Sequence, residues 1–125
     1  MIGPSLPFVS RLAQQWPSAA AVFAGLSLGI QQQVVRRAVE TALSEASSTP
    51  PVDESKASLE AEVERLDDEA GELQDTAGYE AAFRRARAIN ALLVARYEND
   101  PADALYEAFH ALGAEDRLDE FLPTA

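Results

Sequence analysis

Apolar residues recur along this chain at helical spacing and almost never alternate with polar ones. In "IQQQVVRRAVETALSEA" (residues 30–46), Val34, Val35, Ala38, Val39, Ala42 and Ala46 share one side of a helix turning 100° per residue. Arg36, Arg37, Glu40 and Ser44 lie opposite, and Arg36 and Glu40 are spaced to pair across one turn. In "SKASLEAEVERLDDEAGEL" a narrow stripe of Leu59, Val63 and Leu66 runs along an acidic surface, and Gly71 is expected to end or bend that helix. The strongest element is "GYEAAFRRARAINALLVARYEN" (residues 78–99). There Tyr79, Phe83, Ala86, Leu93, Val94 and Tyr97 form a broad apolar face, widened by Ala82 and Ile89. Twenty helical residues span about 30 Å, the width of a small domain, so this helix is predicted at the centre of the core. In "PADALYEAFHAL" the buried side is assigned to Leu105, Phe109 and Leu112, with Asp103, Glu107 and His110 facing water. "AEDRLDEFL" predicts a short last helix. "WPSAAAVFAGLSLG" predicts an early one, Ala-rich, almost uncharged and therefore expected to be buried.

Proline and glycine divide these segments. Pro17 suits a first helical turn, and Asp100 followed by Pro101 reads as an N-cap and first position. Gly113 stands where a left-handed C-terminal residue is needed. "SSTPPVDES" (residues 47–55) interrupts the helical pattern as an exposed loop, ending in Asp53 or Ser55 as the next cap. No segment alternates long enough for a strand. The expectation is an all-α fold, one domain over residues 1–125, with five or six helices in a bundle.

Composition narrows the functional classes. Across 125 residues the chain carries 21 acids against ten bases, for a net charge of −11. A protein that must neutralise phosphates cannot easily carry that charge, so neither nucleic acid nor an anionic membrane surface is an expected partner. The acids are concentrated: residues 53–75 hold ten of them beside Lys56 and Arg65, and residues 100–125 hold seven beside Arg117. Such segments can steer a basic partner. With no cysteine there is no disulfide, thiolate metal site or thiol nucleophile, which suits a reducing compartment. The apolar run Ala19–Ile30 is shorter than the roughly 20 residues that cross a bilayer, and with only Arg11 before it the run reads poorly as a signal peptide. A cytoplasmic location is expected.

Few residues suggest chemistry. His110 is the only histidine, and Glu107-x-x-His110 has the spacing used in di-iron carboxylate bundles. Those sites need a second such motif and further inward carboxylates, which one copy of this chain lacks, so Glu107 and His110 are metal candidates only in a symmetric pair. No nucleotide-binding loop, nucleophile elbow or H-E-x-x-H occurs, and no catalytic residue or cofactor is assigned. Asn90 falls inside the apolar arc of the long helix, where it either fixes packing through a hydrogen bond or lines a pocket with Tyr79 and Tyr97. Arg84, Arg85 and Arg87 form, with Arg96, a basic cluster on the same helix. It could grip an anion, or pair with the acidic helix before it.

The helix order resembles that of the YjaG-like family of uncharacterised bacterial helical proteins. The likeness lies in "FVSRLAQQWPSAAAVFAGLSLGIQQQVVRRAVETAL" and "LEAEVERLDDEAGELQDTAGYEAAFRRARAINALLVARY". It implies an all-α fold and a cytoplasmic bacterial origin, and no activity. The leading expectation is a non-enzymatic acidic protein that works by binding another protein, whether a basic partner, as an inhibitor or immunity-type protein would, or a second copy of itself. The alternative is a small-molecule or metal site in the core around Asn90.

Overall fold

Serine, aspartate and proline start the helices. The computed structural model describes residues 10–113 and 117–122, with α1 at Arg11–Gln15, α2 at Pro17–Ala24, α3 at Leu28–Glu45, α4 at Lys56–Glu72, α5 at Tyr79–Tyr97, α6 at Pro101–Leu112 and α7 at Leu118–Phe121. Four side chains accept a hydrogen bond from an otherwise unpaired N–H of the first turn: Ser10 from Ala13, Ser27 from Ile30, Ser55 from Ser58 and Asp100 from Asp103. Each such cap contributes about 1 kcal/mol. Asp53 reinforces the third cap by accepting from the Ser55 N–H and from the Ser58 hydroxyl, at 3.1 and 3.0 Å. Gly113 ends α6 in the left-handed region at φ 67°. An added Cβ there would lie 2.2 Å from the Arg84 guanidinium, which packs against the C-terminal end of α6, where a cation is favoured.

In space the helices are neighbours in the series α4, α5, α6, α1, α2, with α3 lying against both α5 and α6 and α7 docked on α3. One core joins them. Val34, Ala38 and Ala42 of α3, Leu59 and Leu66 of α4, Ile89 of α5, and Leu105 and Phe109 of α6 are buried. Alanine supplies much of the rest, including Ala86, Ala88 and Ala91 on α5 and Ala104, Ala108 and Ala111 on α6. Small side chains at these contacts let helix axes approach toward the short end of the usual 8–10 Å. The fold is all-α, as the apolar spacing predicts, and no strand occurs among the described residues. None of their helices is long and apolar enough to cross a membrane.

Four expectations change. Seven helices are present among the described residues rather than five or six, because α1 forms as a single short turn ahead of α2, while the short last helix α7 is the one the sequence leads one to expect. The helix α4 runs through Gly71 to Glu72, since an exposed glycine in a last turn costs too little to stop it. On α5 the buried face centres on Ala86, Ile89 and Leu92–Val94. Tyr79 and Tyr97 are its first and last residues and are exposed, and Phe83 is half-buried. The helix α2 is not buried: only Ala19 and Phe23 are covered, because its main neighbour is the five-residue α1, which offers too little surface to cover more.

Phe109, 1 % exposed, packs edge-to-face against Trp16 with ring centres 5.3 Å apart. Phe109→Ala is predicted to cost about 3–5 kcal/mol in denaturant unfolding, and Phe83→Ala distinctly less. Equal losses would show that the core is centred elsewhere.

Candidate functional site

Among the described residues the most enclosed charged group is Glu107. It sits midway along α6 and is 2 % exposed. A carboxylate so far from water requires compensation, and two arginines supply it. Arg11 of α1 donates to Glu107 Oε1 at 3.1 Å, and Arg87 of α5 donates to Oε2 at 3.0 Å. Each arginine then holds a second acid in a two-pronged contact. Arg11 binds Asp103, with both distances 2.8 Å, and Arg87 binds Asp67 of α4 at 2.7 and 2.9 Å. The Arg11 guanidinium also lies 4.4 Å from the centre of the Tyr106 ring, within cation–π range. The Asp103 hydrogen bonds hold Arg11 further toward its charged form. One orphan remains: the Arg87 Nε is buried with no partner.

This corrects the expectation that Glu107 and His110 face water. Alanines at 104, 108 and 111 let neighbours pack on nearly every side of α6. That signal was present in "PADALYEAFHAL". A helix apolar almost all round is a buried helix, so a charge within it is enclosed. His110 is half-buried, its ring centre 4.6 Å from that of Tyr106, 5.2 Å from Trp16 and 6.3 Å from Phe83. Its Nε2 lies 3.1 Å from Gln15 Oε1, a hydrogen bond when that nitrogen carries the proton. Burial is the largest influence on the ring and lowers its pKa from 6.5. Glu107 opposes the shift, and Arg87 and Arg11 add to it. Both oxygens of Glu107 are occupied by arginine, which leaves no free carboxylate to share a metal with His110. Among the described residues no group of three or more acids, histidines or cysteines is arranged to hold an ion.

Within the basic cluster of α5, Arg85 and Arg87 pair with the acidic helix α4, the second of the cluster's two readings, while Arg84 and Arg96 pair elsewhere. Arg84 pairs with Glu80, Arg85 with Glu69 at 2.9 Å, Arg87 with Asp67 and Glu107, and Arg96 with Glu54 at 2.9 Å. Asn90 is half-buried and is not brought together with Tyr79 or Tyr97, which occupy opposite ends of α5. Tyr79 stacks on Phe83, and Tyr97 donates its hydroxyl hydrogen to the Glu54 carbonyl at 2.8 Å. None of these three lines the cleft between α3 and α5 or the smaller hollow beside His110. The core site imagined around Asn90 is therefore not assembled from these residues.

The α2–α3 corner is the surface that sequence reasoning misplaced. Residues 12–35 contain no charged side chain. Within them Ala21, Val22, Ala24, Gly25, Leu28 and Gly29 are exposed, with Val22 at 50 % and Leu28 at 61 %. Val22 and Leu28 are thus large apolar side chains left to solvent in a stretch without charge, on an otherwise strongly acidic molecule. No family model, curated protein or solved structure matches this chain.

Two predictions concern α6. Glu107→Ala should cost about 3–5 kcal/mol, because it leaves the half-buried guanidinium of Arg87 with Asp67 as its one acid and Arg11 with Asp103 as its own. The double change Glu107→Leu with Arg87→Met should cost less than the sum of its singles in a double-mutant cycle. Additive losses would show that the two groups are not coupled. For His110, a folded-state pKa below 6.5 means that the unfolded chain binds the proton more readily. Its contribution is complete above pH 6.5 and is lost as pH falls through the interval beneath that value. Urea unfolding from pH 7.5 to 5 should show that loss, and His110→Phe should flatten it.

Proposed function

We propose that this chain is a non-enzymatic acidic protein that acts by protein–protein interaction, docking a partner on the α2–α3 corner. The observation that carries the reading is the exposure of Val22 and Leu28 in a surface without charge. An apolar contact of that kind supplies affinity by removing surface from water. The chain's acidity supplies the field in which the partner arrives. Seven of the ten basic residues are engaged in ion pairs within the described structure. On α4 the exposed acids Glu60, Glu64, Asp68 and Glu72 recur every fourth residue and form no ion pair among the described residues. A basic protein would be attracted by that field, and a second copy of this chain repelled by it. A reducing compartment such as the bacterial cytoplasm suits a chain with no cysteine.

Salt separates the two kinds of partner. Charges at the surface are screened over about 8 Å at physiological ionic strength. Added salt should slow capture of a basic partner and should strengthen self-association. The acids suited to a reversal test are Glu60, Glu64, Asp68 and Glu72. Asp67 and Glu69 are unsuitable, because they hold Arg87 and Arg85, and their reversal would disturb the fold. The predicted result is that Val22→Asp combined with Leu28→Asp leaves helicity and unfolding midpoint near those of the parent and abolishes the complex. Complexes would be read by sedimentation for self-association and by cross-linking in cell extract for another protein. A complex that survives the double substitution in a folded protein would overturn the corner as the contact area.

A further inference from the structure

A cleft of about 540 Å³ opens between α3 and the C-terminal half of α5. That size falls within the range of sites for small molecules. Its wall is apolar where Val35 and Val39 of α3 meet Leu92 of α5, and all three belong to the core. Two charged residues of α3, Arg36 and Glu40, also line it. Their spacing of one turn would let them pair with each other, yet they form no ion pair with one another or with any other described residue. The other cation of the cleft, Arg96, is engaged by Glu54 at 2.9 Å.

This arrangement selects among ligands by charge. An anion drawn to Arg36 meets Glu40 one turn away, in a molecule of net charge −11. A cation drawn to Glu40 meets Arg36. A ligand carrying both charges satisfies both residues at once. The cleft is larger than one free amino acid needs, and a ligand that fills it can touch both residues although they leave the helix one turn apart. Side chains at i and i+4 on a helix start about 5–6 Å apart. The charged groups of one free amino acid are closer together than that, whereas the ends of an extended dipeptide are about 7 Å apart. The apolar wall would take its side chains.

We propose that the α3–α5 cleft binds short apolar peptides with free ends, the carboxylate held by Arg36 and the ammonium by Glu40. The test is titration of the isotopically labelled protein with dileucine, followed by backbone amide NMR. Saturable shifts confined to residues 32–43 and 92–101 are expected. N-acetyl-dileucine and dileucine amide, each lacking one charge, should bind at least about tenfold more weakly, as loss of a charge-assisted hydrogen bond implies. Arg36→Gln and Glu40→Gln should each weaken dileucine to a similar degree. Both residues are exposed, so both variants should keep the parent's unfolding midpoint. Blocked peptides that bind as tightly as dileucine would overturn the proposal. So would the absence of shifts at the cleft at millimolar dileucine.

Discussion

One buried carboxylate organises this molecule. Glu107 can occupy the middle of α6 only while Arg11 and Arg87 both reach it, and those residues come from two different helices, α1 and α5. The second contacts of the two arginines extend the constraint to Asp103 and, across α5, to Asp67 on α4. Four helices are thus held in register by charge as well as by shape. The net stabilisation from such a network is modest, because removing the ions from water offsets most of their attraction. Its larger effect is selective: any packing that separates Glu107 from its arginines leaves a buried charge alone, so alternative arrangements of the same apolar faces are disfavoured. An alanine-rich core needs that help. Small, similar side chains fit together in many ways, and they discriminate poorly among registers on their own.

The same network shapes the outer surface. Each arginine drawn inward to an acid is one fewer to neutralise the exterior. Four of the acids left without an ion pair lie on α4, where neighbours four residues apart repel one another and slightly disfavour the helix that carries them. The α2–α3 corner stands apart from this field, having neither sign of charge. The molecule therefore presents two surfaces with opposite responses to salt, joined through one core.

Much of this was legible in the chain itself. The caps at Ser55 and Asp100, the left-handed Gly113 and the all-α class follow from local rules, because each depends on residues within a few positions. The pairing of Arg85 and Arg87 with α4 was also a sequence reading, since acids and bases on consecutive helices are natural neighbours. What the sequence concealed depends on residues far apart. Whether α2 is covered depends on the small size of α1, not on the apolarity of α2. Whether Glu107 faces water depends on how many helices surround α6. An amphipathic projection assumes one wet side, and α6 has almost none. Asn90 shows the converse: an apolar arc drawn from sequence placed it in the core, whereas the arc's aromatic ends lie outside and Asn90 is only half-buried.

The ion pair between Arg11 and Glu107 closes a loop spanning 96 residues. The helices α4, α5 and α6 are consecutive and meet through nearby residues, so the entropy lost in joining them is small. The contact of α1 with α6 costs more, and little apolar surface holds α1 and α2 in place beyond Leu12, Trp16, Ala19 and Phe23. On a ribosome, where chains emerge from the N-terminus, Arg11 is made well before Asp103 and Glu107, the acids it binds. Of the described helices, α1 is thus made before the helix that fastens it. Until Arg11 closes on it, Glu107 has one arginine and one face still open to water.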